Sequence, residues 1–271
     1  MYEFAYVRPA SLEDAVRALR MHSEAKPLAG GMSLLSAMKL RLAAPTHLVD
    51  LGRLDGLAGI AGNNQAITIG AMTRHADVAA SPIVREAIPA LAVLAGDIGD
   101  RQVRHRGTLG GSVANADPAA CYPAAVLGLA GTIITDRRHI GSDDFFRGLY
   151  ETALETDEIV AAVEFTRPAR AGYMKFPHPA SRFALVGVFV AEFGAGNVRV
   201  AVTGAGPRVF REARLEAALA KEFTPTVASA VAVSAEGLNS DRAASAEYRA
   251  HLVSVMAARA VAWALAPTSQ S

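Results

Sequence analysis

Residues 101–122, RQVRHRGTLGGSVANADPAACY, constrain this chain more than any other stretch, because they crowd basic, glycine and small polar residues into one short segment. The adjacent glycines of Thr108-Leu109-Gly110-Gly111-Ser112 permit positive φ, or a close approach of the backbone to a ligand. Exposed amides in such a segment form a concave anion site. The same pair also fits a tight turn between two strands, for which glycine is the default residue. A second glycine pair weighs against the plain turn. In residues 26–42, KPLAGGMSLLSAMKLRL, Pro27-Leu28-Ala29 reads as the end of a short buried strand and Gly30-Gly31 as a turn. Ser33 reads as the N-cap of a helix carrying Leu34, Leu35, Met38 and Leu42 on one face. A strand that turns through glycines into a helix start aims free NH groups and the positive end of the helix dipole at one point, which suits a phosphate. Neither segment carries the Gly-Lys-Ser or Gly-Lys-Thr of a P-loop or the three-glycine dinucleotide fingerprint. Two separate loops are read instead as clamping a diphosphate from two sides.

A length of 271 residues and 51% hydrophobic content suffice for two or three modest cores in a compact soluble protein. The longest apolar run, residues 183–193, contains Glu192 and two glycines and is too short to span a bilayer. The N-terminus MYEFAYVRPA lacks the basic and apolar regions of a secretion signal, so a cytoplasmic location is expected. A net charge of +1 makes no case for nucleic acid. The single cysteine, Cys121, excludes an internal disulfide and a multi-cysteine metal site, and the seven scattered histidines include no metal-binding helical pair. No catalytic or metal-binding residue is assigned.

Ala29-Gly30-Gly31-Met32-Ser33-Leu34 and Thr108-Leu109-Gly110-Gly111, followed by Asn115-Ala116-Asp117-Pro118-Ala119-Ala120, resemble the paired FAD-binding loops of the medium subunit of molybdenum hydroxylases. That family includes the flavoprotein subunit of carbon monoxide dehydrogenase and the FAD domain of xanthine dehydrogenase. The likeness covers nearly the whole chain, from residues 4–9 through 98–104, 153–160 and 175–176 to 180–184. It implies an α+β fold: a two-subdomain FAD-binding fold of the vanillyl-alcohol-oxidase-like (PCMH) type, then a C-terminal α+β domain of antiparallel sheet and helices. It further implies FAD lying extended between the two subdomains. Leu28, Ala29, Gly30, Gly31, Met32, Ser33 and Leu34, with Thr108, Gly110, Gly111 and Ser112, would hold the diphosphate. Ile98 would lie near the flavin or ribityl chain, Asn115, Asp117 and Cys121 would add contacts, and Ile159, Val160 and Lys175 would approach the isoalloxazine ring. A cation there stabilises the anionic reduced flavin, while Lys175 is equally read as a solvated strand lysine. Two residues depart from the family pattern. Met32 stands where many relatives carry histidine or glutamine, and Cys121 where they usually carry a ligand-contacting aspartate.

The implied role is an FAD-carrying electron-transfer subunit of a heteromeric molybdenum hydroxylase. It would take electrons from iron-sulfur clusters on a small subunit, with the molybdenum cofactor on a large one, in a heterotrimer or its dimer, and pass them to an external acceptor. A self-sufficient FAD-dependent reductase or oxidase of the same domain type is the alternative. A flavin-free assembly subunit, which Cys121 favours, is a third. Arg101, Arg104 and Arg106 are read as a surface that docks an acidic partner, or as phosphate neutralisers.

In chain order, Ser11-Leu12-Glu13-Asp14 is a capping box opening a helix with Leu12, Ala15, Val16 and Leu19 on one stripe. Pro45 precedes the strand at 47–50, completing a parallel βαβ unit and a first subdomain at 1–54. In the second, 55–168, residues 65–70 read as a strand, Thr73 as the cap of a helix at 74–80, and 83–95 as a helical stretch broken by Pro89. His75 reads as a satisfied surface or core histidine. A helix at 122–129 and strands at 132–135 and 159–165 follow. The third span, 169–271, has strands at 173–176, 185–193 and 198–203, then helices near 211–219, 226–236 and 246–265, which signals a separate α+β unit. Gly204-Ala205-Gly206 reads as a turn, and Met256 and Trp263 as core or interface residues.

Overall fold

A computed structural model describes residues 1–194 and 196–266 of the chain. The first elements are β1 (Ala5–Val7), α1 (Leu12–Met21), β2 (Ala25–Leu28), α2 (Leu34–Lys39) and β3 (His47–Asp50). The strands form a parallel sheet in the order β1-β3-β2, so β2, α2 and β3 make the expected βαβ unit. The Ser11 hydroxyl accepts from the Asp14 amide at 3.1 Å, and α1 buries Ala15, Val16 and Leu19. The second helix departs from its reading. Ser33 is itself helical in backbone and its side chain makes no cap bond. The helix is over by Lys39, with Arg41 at φ +62, so Leu42 lies beyond it and is exposed.

The central part runs β4 (Ile60–Gly62), β5 (Ala66–Gly70), α3 (His75–Ala80), α4 (Pro82–Ala87), α5 (Pro89–Gly96), α6 (Arg101–Arg106), α7 (Leu109–Asn115) and α8 (Tyr122–Gly128). It continues through β6 (Thr132–Thr135), β7 (His139–Gly141), α9 (Ser142–Phe145), β8 (Phe146–Gly148), β9 (Glu151–Thr152) and β10 (Val160–Thr166). An antiparallel sheet in the order β4-β5-β10-β6-β7 supports these helices, and β8 pairs with β9 in a small hairpin. Pro89 splits the apolar stretch into α4 and α5 by opening the second helix. Thr73 is not a helix cap: its hydroxyl both donates to the Gly59 carbonyl and accepts the Gly59 amide, each at 3.0 Å, leaving Arg74 in the cap position. Every residue of α8 is buried, which is why that segment carries no polar face.

The last part runs β11 (Arg170–Pro177), β12 (Ala184–Glu192), β13 (Val198–Thr203), β14 (Phe210–Arg211), α10 (Ala213–Leu219), α11 (Pro225–Ala230) and α12 (Ala246–Leu265). The strands form an antiparallel sheet in sequence order. The unbroken apolar run of β12 has a structural cause. Val186, Val188 and Val190 pack with α10 and α12, while Phe189 and Ala191 join the core under the central helices. Gly172 of β11 admits α12 at close range, since a Cβ there would lie 2.8 Å from the Ala260 carbonyl carbon. α11 stops at Ala230, short of the expected 226–236. Gly204 has φ +81 and its carbonyl accepts from buried Arg249 at 3.0 Å, so Gly204-Ala205-Gly206 is a structural turn. Met256 is core and Trp263 packs partly buried on the central cluster. Residues 267–271 of the third span lie outside the described residues, among which no helix is long and apolar enough to cross a membrane.

Candidate cofactor site

The two glycine segments lie in contact. A Cβ on Gly30 would meet Gly107 Cα and the Arg106 carbonyl carbon at 2.8 Å, and one on Gly111 would meet Ala29 Cβ at 3.3 Å. Gly31 takes φ +74, which turns the chain from β2 into α2. The amides of Ala29, Gly30, Gly31, Met32 and Ser33 donate to no protein acceptor among the described residues. Leu28 and Leu34 flank them half-buried.

The second segment differs from its reading as a turn. Gly110 and Gly111 sit in the first turn of α7 without positive φ, and Thr108 caps that helix by accepting the Gly111 amide at 3.2 Å. The other amides there are also engaged: Leu109 donates to Thr73 O, Gly110 to Ala71 O and Ser112 to Thr108 O. Gly110 is glycine because a Cβ would run into Ala71. The open donors therefore belong to residues 29–33, and the second segment forms the wall behind them. Five unpaired amides in a glycine-lined cradle fit a diphosphate.

Beyond α7, Ala116 takes φ +47 and leads the chain past half-buried Asn115 into residues 117–121. Asp117 accepts the Ala119 amide at 2.8 Å and the Tyr150 hydroxyl at 3.3 Å. The loop is fastened to the C-terminal sheet, where Thr203 Oγ1 lies 2.7 Å from both the Pro118 and Ala120 carbonyl oxygens. Cys121 closes it, buried, with Sγ 3.8 Å from Lys175 Nζ. Burial pushes the thiol pKa up despite the neighbouring lysine, so Cys121 is a neutral group at pH 7.

Lys175 is not a solvated strand lysine: its side chain is only 2% exposed. Nζ donates to Asp97 O at 2.5 Å and Arg182 O at 3.3 Å, and lies 3.2 Å from the Asp97 carboxylate. Lys175 thus reaches from the C-terminal sheet to the turn carrying Ile98. Sequence reasoning missed Asp97 and Tyr173, which also faces Cys121, because nothing local links position 97 with 175. Arg104 points into the same turn, donating to Ile98 O at 3.0 Å. Val160 is buried in the central core and Ile159 in the core around α1, its amide donating to Asp136 at 2.7 Å, so the structure does not bring Ile159 to the open amides.

His75 is a core residue, though not a fully satisfied one. It is 5% exposed, its ring lies 5.3 Å from that of Tyr122, and neither its Nδ1 nor the Tyr122 hydroxyl has a partner among the described residues. Burial first, and Arg104 second, lower its pKa to about 4.

Residues 2–168 match the family described as the FAD binding domain in molybdopterin dehydrogenase. The chain is 37% identical to the nicotine 6-hydroxylase medium subunit of Paenarthrobacter nicotinovorans, covering 97% of this chain and 98% of that one. It is also 37% identical to the carbon monoxide dehydrogenase medium chain of Hydrogenophaga pseudoflava, over 96% and 97% of the two chains. Among solved structures, quinoline 2-oxidoreductase from Pseudomonas putida 86 superposes with a TM-score of 0.88 at 30% identity, covering 96% of each chain.

Proposed function

The chain belongs to the FAD-binding medium subunits of heteromeric molybdenum hydroxylases, an oxidoreductase component with FAD as its cofactor, and we propose that it is the electron-transfer subunit of such a complex. In this reading it takes electrons from iron-sulfur clusters on a small subunit, whose large partner carries the molybdenum cofactor, and passes them to an external acceptor in the cytoplasm. Bound FAD supplies the exchange between two-electron and one-electron chemistry that such a relay needs. The observation that carries the reading is the cradle of five free amides at residues 29–33, backed by the Thr108–Ser112 helix start.

The protein's own residues divide the work. Amides 29–33 bind the diphosphate, with Gly31 making the turn and Gly30, Gly110 and Gly111 letting the two segments and Ala71 pack closely around it. Ile98 packs against the flavin or ribityl chain, residues 115–121 shape the wall, and Lys175 supplies a positive charge held by Asp97. Val160 backs this wall from the central core, while Ile159 packs in the core around α1. The division into 1–54, 55–168 and 169–271 is part of the proposal, supported by sheets confined to residues 5–50, 60–166 and 170–211.

A tagged chain co-expressed with its partner subunits is expected to copurify with iron and molybdenum. Its flavin in the complex would bleach with substrate, and in the isolated chain it would not. Bleaching of the isolated chain by substrate alone would replace the relay with a self-sufficient reductase or oxidase.

A further inference from the structure

Successive carbonyls in the turn between α5 and α6 are gripped by cations. Lys175 Nζ donates to Asp97 O at 2.5 Å, and Arg104 Nη1 donates to Ile98 O at 3.0 Å and, at the limit of bonding, to Gly99 O at 3.5 Å. The cations come from different parts of the molecule, Lys175 from β11 and Arg104 from α6. Arg104 is itself placed by its helix, whose start is capped by Asp100 accepting the Val103 amide at 2.8 Å. Gly99 takes φ +49, which folds the turn back onto α6. Exposed turn carbonyls are ordinarily left to water, and a segment held only by water opens easily. Charge-assisted bonds to adjacent carbonyls fix this one instead.

We infer that Arg104 is a positioning residue: by holding the Ile98 and Gly99 carbonyls it sets how the Ile98 side chain is presented to the flavin, while Lys175 fixes the preceding carbonyl. The inference rests on the flavin reading above. It gives Arg104 an inward task where the sequence suggested an outward docking role, which remains with the exposed Arg101 and Arg106.

The test compares the full chain with Arg104→Gln, Arg104→Lys and Arg214→Gln, the last removing a similar arginine-to-carbonyl bond, to Ala232 O at 3.3 Å, in the helical layer. Two quantities are measured, the FAD dissociation rate and the amide hydrogen exchange of residues 96–100. Arg104→Gln is expected to speed FAD release about 10- to 100-fold, the loss of one charge-assisted bond, and to speed exchange in 96–100. Arg104→Lys should recover part of both, since a lysine keeps the positive charge and can donate but lacks the planar fork, and Arg214→Gln should change neither. Unchanged exchange in Arg104→Gln overturns the brace. Faster exchange with unchanged FAD release overturns the role toward flavin. A wild-type chain that takes up no FAD overturns the flavin reading and with it the role of Ile98, while the exchange data decide separately whether Arg104 holds the turn.

Discussion

At position 75 an imidazole is sealed into the core beside Tyr122 with no partner for Nδ1 among the described residues, and its pKa falls to about 4. The unfolded chain binds this proton from near pH 6.5 downward, while the folded protein resists it until about pH 4. Stability is therefore fully present above pH 6.5, is lost as the pH falls between those values, and changes no further from this group below them, at a cost of about 3 kcal/mol. Denaturant unfolding at pH 7 and pH 5 should show about 2 kcal/mol of this loss in the wild type and a smaller one in His75→Gln. Cys121 makes a second prediction at this scale. A neutral thiol faces Lys175 where the resemblance places an aspartate, and a missing charged acceptor bond is worth about 1.5–3 kcal/mol, or one to two decades in affinity. Cys121→Asp should hold FAD more tightly on dilution, and an unchanged dissociation constant would refute this.

Among the elements, two serines that look alike in sequence behave differently. Ser11 caps α1 with a real hydrogen bond, so Ser11→Ala should cost about 1 kcal/mol. Ser33 makes no cap bond, so Ser33→Ala should leave the thermal unfolding midpoint of the flavin-free chain nearly unchanged. Local pattern made the βαβ unit, the Pro89 break and the strands of the C-terminal sheet legible, because each rests on residues within one or two turns of one another. The second glycine pair, read as a ligand-clamping loop or a turn, is a helix start, because Gly110 answers to a distant neighbour. Gly110 is fixed by Ala71, a contact with no local signature, and Gly111 by the Thr108 hydroxyl that caps its helix together with distant Ala29. Lys175 was ambiguous for the same reason, since Asp97 lies 78 residues away. The glycine pairs themselves were legible as a site, but their unequal share of free amides was not. Gly30→Ala tests their contact: a methyl group pressed on the Arg106–Gly107 backbone should cost about 1–3 kcal/mol and weaken FAD binding.

Across the whole molecule, the C-terminal sheet serves the N-terminal loops as well as its own core. Thr203 fastens residues 118–120, Lys175 fastens Asp97, and β12 buries Phe189 and Ala191 against the central cluster. Anything that shifts this sheet should disturb the cofactor wall. Gly172→Ala, which forces β11 and α12 apart, is expected to destabilise the protein by about 1–3 kcal/mol and to raise the FAD dissociation rate together with it. Every flavin-linked role above depends on the cradle at residues 29–33 holding a dinucleotide. The visible absorption spectrum of the purified chain, followed by heat release and chromatographic identification of the flavin, tests that most directly. A flavoprotein spectrum and close to one FAD released per chain are expected. A colourless chain that takes up no FAD from excess cofactor, either alone or assembled with its partner subunits, would contradict a dinucleotide role for the cradle.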